Sequence, residues 1–122
     1  MPVDAFQHVN TRSSDVERTK DFYVRLGFRV GDRPPFASKG YWLYLNDHPV
    51  LHLVQRKDGD PHHEHAGNVD HVAFHAVDLD ATTRALTEAG LSFRKAIVPR
   101  DNTIQLFVRD PDGITVELNF GS

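Results

Sequence analysis

The stretch FQHVNTRSSDVERTKDFYVRLGFRV, Phe6 to Val30, has a weak echo in VDHVAFHAVDLDATTRALTEAGLSF, Val69 to Phe93. At an offset of 63 residues, His8 falls on His71, Val9 on Val72, Asp15 on Asp78 and Gly27 on Gly90. Each copy opens with a short alternating segment, with Phe6, His8 and Asn10 sharing one face in the first, and then passes into a helical stripe. The first helix is expected to bury Val16, Thr19, Phe22, Tyr23 and Leu26, and the second Leu79, Thr82, Ala85, Leu86 and Ala89. Ser14 and Glu17 have capping-box spacing, and Asp78 suits an N-cap. Gly27 and Gly90 stand where a left-handed residue ends a helix.

Three strand candidates follow each helix. They are GFRVGD, GYWLYLND and PVLHLVQ in the first half, and LSFRKAIV, TIQLFVR and ITVELNF in the second. In the last connection, DPDG, Pro111 and Gly113 occupy the second and fourth places of a type I turn. The order strand, helix and three strands therefore occurs twice, an α+β plan with helices covering one face of mostly antiparallel sheets. We read residues 1–122 as a single domain, with module one at about 4–56, a linker at about 57–67 and module two at about 68–121. The linker RKDGDPHHEHAGN is polar and rich in turn formers. Its histidines His62, His63 and His65 read as solvated loop residues and are left out of the site.

The bulk properties narrow the function classes. A formal charge of −3 gives no basic footprint for nucleic acid. No apolar run is long enough to span a membrane, and MPVDAFQHVN lacks the basic and apolar regions of a secretory signal, so a cytoplasmic protein is expected. Cysteine is absent, which excludes disulfides, thiolate metal sites and cysteine nucleophiles.

The chemistry lies in strand parity. In RDPDGITVELNF, Arg109 to Phe120, the apolar residues Ile114, Val116, Leu118 and Phe120 share one face, which sends Glu117 to the other with Thr115 and Asn119. In PVLHLVQ, Leu51 and Leu53 take the helix side and His52 points away. Val72, Phe74 and Ala76 do the same to His71, and the repeat puts His8 where His71 stands. His8, His52, His71 and Glu117 thus project from the helix-free faces of the first and last strands of each half. Imidazoles and one carboxylate suit a divalent cation: zinc, nickel, cobalt, manganese or ferrous iron. A cation would also account for a carboxylate in a well-packed strand, because a buried charge needs a partner. Asn10, Thr115 and Asn119 flank these ligands and are expected to hold them by hydrogen bonds. Trp42, Tyr44, Gln105 and Phe107 are candidate pocket walls, and Arg12 and Arg56 candidate contacts for an acidic substrate.

With the stretches FQHVNTRSSDVERTKDFYVRLGF, VDHVAFHAVD and FVRDPDGITVELNF, the sequence resembles the vicinal oxygen chelate superfamily over nearly its whole length. That superfamily includes glyoxalase I, extradiol dioxygenases, methylmalonyl-CoA epimerase and fosfomycin-resistance enzymes. The resemblance implies paired βαβββ modules forming an open barrel around one metal ion per site, with His8, His71 and Glu117 as ligands. His52 stands where glyoxalase I has a glutamate. With four protein ligands, the implied function is a glyoxalase I-like enzyme that chelates vicinal oxygens of a small molecule, with isomerase or lyase chemistry in which Glu117 shuttles a proton. With His52 unligated, the remaining three form a facial triad, and the alternative is an extradiol ring-cleaving dioxygenase using ferrous iron. Third come a fosfomycin-resistance-like transferase, whose basic residues beyond the last ligand find no counterpart in the five residues after Glu117, and a metal-free drug-sequestering protein of the bleomycin-resistance type. Arg56 replaces the asparagine that contacts glutathione in the glyoxalase pattern, so the resemblance leaves the substrate unnamed. It also implies a homodimer.

Overall fold

The computed structural model describes residues 5–59, 71–99 and 101–121. The linker histidines His62, His63 and His65 lie outside the described residues. The chain divides into two compact units, Met1–Pro61 and His62–Ser122.

The first unit contains β1 (Val9–Ser13), α1 (Val16–Arg25), β2 (Arg29–Gly31), β3 (Gly40–Leu45) and β4 (His48–Gln55). Its sheet has the order β1-β4-β3-β2, with β1 parallel to β4 and the other pairs antiparallel. The second unit contains β5 (His71–Ala76), α2 (Leu79–Glu88), β6 (Phe93–Ile97), β7 (Ile104–Arg109) and β8 (Thr115–Phe120). Its sheet has the order β5-β8-β7-β6 with the same pattern of directions. The α+β class and the repeated βαβββ order are as the sequence suggests. Neither sheet closes on itself; each is open at two edge strands.

The core follows the apolar alternation. Leu43, Leu51 and Leu53 are fully buried in the first sheet, as are Leu106 and Val116 in the second. Helix α1 buries Val16, Thr19, Phe22 and Tyr23, whereas Leu26, expected among them, is only half-buried. In α2 only Leu86 is fully buried. Losing one of these leucines to alanine costs about 2–5 kcal/mol.

Two boundaries differ from the sequence reading. Strand β1 starts at Val9, paired with Leu51, and not at Phe6, which is 77% exposed. The alternation of Phe6, His8 and Asn10 therefore marks no core face. The N-cap of α1 is Asp15, one residue after Ser14, and its carboxylate accepts from the Arg18 N–H at 3.2 Å. A second helix-start donor, the Val16 N–H, reaches the Gln55 side chain on β4 at 3.0 Å, which ties the helix to the sheet. Asp78 caps α2 as expected, accepting from the Ala81 N–H at 3.0 Å. Gly27 and Gly90 follow the helices at φ +109° and +72°, the left-handed ending that glycine permits. The β7–β8 turn has Pro111 and Gly113 in their expected places, closed by Gly113 N–H to the Asp110 carbonyl at 3.0 Å. The buried Asp110 side chain also accepts from the Asp112 and Ile114 N–H groups at 2.8 and 3.0 Å.

Candidate functional site

In the second unit the register fixes what shares a face. Ala73, Glu117, Phe107 and Arg94 form one cross-strand row, and His75, Asn119, Gln105 and Ala96 form another. On the other side of the first row lie His71, Thr115 and Arg109. The alternate residues Val116, Leu118, Phe120, Leu106 and Val108 are buried on the opposite face, so Glu117 points away from the core side, as its parity requires.

Glu117 is held at both oxygens. Its Oε2 accepts from Asn119 Nδ2 at 2.8 Å, and Asn119 Oδ1 in turn accepts from Gln105 Nε2 at 3.1 Å. Its Oε1 lies 3.4 Å from His71 Nε2. The Glu117 side chain is 13% exposed and that of His71 39%. The carboxylate is thus largely withdrawn from water and oriented by two amides on one side, with one oxygen presented beside an imidazole. His75, on the same face, donates from Nε2 to the Gly121 carbonyl at 3.0 Å.

In the first unit, Tyr41 on β3 donates to the Glu17 carboxylate of α1, which marks the helix face of that sheet. Trp42 and His52 are paired across β3 and β4 on the opposite face, and Asn10 is the β1 partner of His52. The rings of Trp42 and His52 stack at 4.1 Å between centroids and 8° between planes, and His8 stacks on His52 at 3.9 Å and 13°. Phe36 extends the stack beyond Trp42 at 6.3 Å. One nitrogen of each histidine is engaged: His52 Nε2 with the Pro49 carbonyl at 3.0 Å, and His8 Nδ1 with Gln7 Oε1 at 2.9 Å. Burial first, and then neighbouring His8, hold the His52 imidazole below its usual pKa range. Both causes favour the neutral ring.

The four sequence-predicted ligands therefore stand as two pairs, His8 with His52 and His71 with Glu117. Among the described residues no three histidine, aspartate or glutamate side chains form a group able to hold a metal ion. The donor chemistry nevertheless fits a divalent cation. Two donors each about 2.1 Å from one ion stand roughly 3.0–3.4 Å apart, and His71 and Glu117 have that spacing at 3.4 Å. His8 and His52 are arranged differently. Planes inclined by 13° and a ring's thickness apart do not meet within the reach of a metal–nitrogen bond. As they stand, their lone pairs do not converge on one point, and joint ligation needs one ring to turn.

Of the proposed pocket walls, Gln105 and Phe107 share the Glu117 face and Trp42 the His52 face. The β-bulge between Leu43 and Tyr44 precedes a different role for Tyr44. Its ring lies over Gly31 and under the Arg29 guanidinium, and its hydroxyl donates to the Asp32 carbonyl. Arg56 lies just past β4, with its backbone N–H on the Ser13 carbonyl at 2.7 Å. The sequence reading passed over Arg94 and Arg109, although strand parity put both on the Glu117 face.

A family model for the Glyoxalase/Bleomycin resistance protein/Dioxygenase superfamily matches residues 5–118. The chain belongs to this superfamily. It is 28% identical to a lactoylglutathione lyase from Pseudomonas aeruginosa, over 93% of this chain and 80% of the relative. A superfamily domain from Frankia sp. EAN1pec superposes with a TM-score of 0.79 at 21% identity, covering 98% of this chain and 99% of that one. A fosfomycin resistance protein from Listeria monocytogenes, solved with Mn(II) and 1S,2S-dihydroxypropylphosphonic acid, superposes at 0.78 with 16% identity, covering 98% and 94%. At these identities the two structures speak for the fold. Among the described residues no helix is long and apolar enough to cross a membrane.

Proposed function

We propose that the protein is a metal-dependent enzyme of the glyoxalase I-like type, acting on a small molecule with vicinal oxygens by proton transfer. The observation that carries this reading is the Glu117–His71 pair: a carboxylate fixed by Asn119 and Gln105, with Oε1 3.4 Å from an imidazole nitrogen. In this reading His71 and Glu117 hold one divalent cation, nickel, zinc, cobalt, manganese or iron, together with His8 and His52. When bound, the cation supplies Lewis acidity and lowers the cost of developing enolate charge. Glu117 takes the proton from the hydroxyl-bearing carbon of an α-hydroxy carbonyl compound and returns it to the adjacent carbonyl carbon, while the hydroxyl proton passes to the former carbonyl oxygen. Asn119 keeps Oε2 occupied, so that Oε1 is the oxygen that alternates between the cation and the proton. The 28% identity to a lactoylglutathione lyase supports the same class of reaction. A homodimer belongs to this reading, and light scattering tests it.

Glu117→Gln removes the base and a ligand but keeps the shape. It should lower turnover of a 2-oxoaldehyde–thiol adduct by at least a hundredfold with an unchanged circular dichroism spectrum. Undiminished turnover in this variant would end the reading.

The first-unit stack favours a second reading. His52 is clamped between two rings and bonded to Pro49, which suits a positioning role and leaves His8, His71 and Glu117 as a three-ligand set. The corresponding reaction is extradiol ring cleavage with ferrous iron. His52→Phe keeps the stack and removes the ring nitrogens. Metal lost from this variant supports the four-ligand enzyme; metal retained, with oxygen consumed when catechol and oxygen are added to protein reconstituted anaerobically with iron, supports the dioxygenase.

A further inference from the structure

We infer that the second unit contains a binding site for the acidic group of a small amphipathic molecule, with Arg94 and Arg109 as its cationic contacts. An open groove of about 690 Å³ is lined by both arginines together with His71, Leu91, Phe93 and Phe107. This volume lies within the usual range for small-molecule sites. Its lining combines an apolar wall with two cations.

Both cations face the groove. Among the described residues neither Arg94 nor Arg109 takes part in an ion pair. Arg94 is held in place by other means, its guanidinium lying 4.3 Å from the centroid of the Phe107 ring. Stacking on an aromatic face orients the planar fork and leaves its edge donors for a carboxylate or phosphonate. Glu117, the carboxylate in the same cross-strand row, is two strands away from Arg94, about 10 Å across the sheet. It is engaged by Asn119 and His71 instead. Leu91 and the Phe107 ring offer the remainder of the ligand an apolar surface.

Taken with the proposed enzyme, on which this last step rests, the groove assigns the substrate class. His71 lines the groove and also pairs with Glu117. A substrate anchored by its acid on Arg94 and Arg109 therefore extends towards the proton-shuttling carboxylate. The expected substrate is a small organic acid with an apolar portion, its reacting oxygens several bonds from its anionic end.

The test uses the full chain stripped of metal with a chelator, so that it reads the groove alone. Benzoate and its neutral counterpart benzamide are titrated and followed by amide NMR. Benzoate is expected to shift resonances of β6 and β7 and to bind at least tenfold more tightly than benzamide. In the double variant Arg94→Gln/Arg109→Gln that preference should disappear, while Arg84→Gln on α2 should retain it. The spectrum of each unliganded variant reports on its fold. Equal binding of the two probes, no binding of benzoate, or an undiminished preference in the double variant overturns the inference. Because metal is absent throughout, these outcomes are independent of whether the proposed enzyme reaction is found.

Discussion

Tyr41 and Glu17 join β3 to α1 by one charge-assisted hydrogen bond, with Lys20 and Lys39 each 3.5 Å from the same carboxylate. The Tyr41 hydroxyl, followed by Lys20, holds Glu17 below the usual carboxylate range, and Glu17 in turn pushes the Tyr41 phenol up. A depressed carboxylate contributes stability that is present above its unfolded pKa, about 4.3, and is lost as pH falls through the lower folded value. Tyr41→Phe should therefore raise the Glu17 titration midpoint measured by NMR towards the unfolded value. It should also make acid unfolding begin at a higher pH. An unchanged midpoint would show that the hydroxyl does not act on Glu17. At this scale the sequence was legible where parity decides. Glu117, His71 and His52 could each be assigned to a strand face from their apolar neighbours. The partners of Glu117 were less legible, because Asn119 has the right parity but Gln105 reaches it from another strand, through a pairing that single-strand alternation does not contain. The His8–His52 stack was illegible for the same reason.

The two helices illustrate what local rules settle at the level of elements. Gly27, Asp78 and Gly90 could be assigned from spacing alone, since caps and left-handed endings are chemistry of a few consecutive residues. The start of α1 was misread by one residue, because Ser13, Ser14 and Asp15 are all competent caps and the choice depends on tertiary contacts. Ser13 is instead buried against Thr19, with 2.7 Å between hydroxyl oxygens, and Gln55 from β4 takes the Val16 N–H. A side chain at Gly90 would meet nothing within 4 Å, so its cost is conformational. Gly90→Ala should destabilise the protein by about 1–2 kcal/mol, the penalty of a left-handed alanine. Urea unfolding with an unchanged slope is the measurement, and a loss below a few tenths of a kcal/mol would contradict the assigned ending. Strand β1 was placed too early because Phe6 offered an apolar residue in alternation, although it is exposed.

Across the whole molecule, the repeat made the architecture legible before any single strand was certain. Four matched landmarks at one offset required two copies of the same unit, and the copies share strand order and direction. The same scale governs the response to metal. A cation that binds only the folded chain stabilises it by about 2.7 kcal/mol at a hundredfold excess over Kd. Nickel, zinc or manganese should therefore raise the melting temperature of chelator-treated protein, and His71→Ala should remove the rise. No shift with any divalent metal would count against the proposed centre. The strand order within each sheet also bears on synthesis. Strand β8 lies between β5 and β7, and β4 between β1 and β3. In each half the strand translated last is thus the only bridge between the strand translated first and its siblings. A nascent half has no partner for its opening strand until the ribosome has delivered its final one. A premature stop at Gly113 would accordingly leave β5 without a partner and open a new edge on β7, which β6 alone still pairs, whereas losing β6 would open only one new edge.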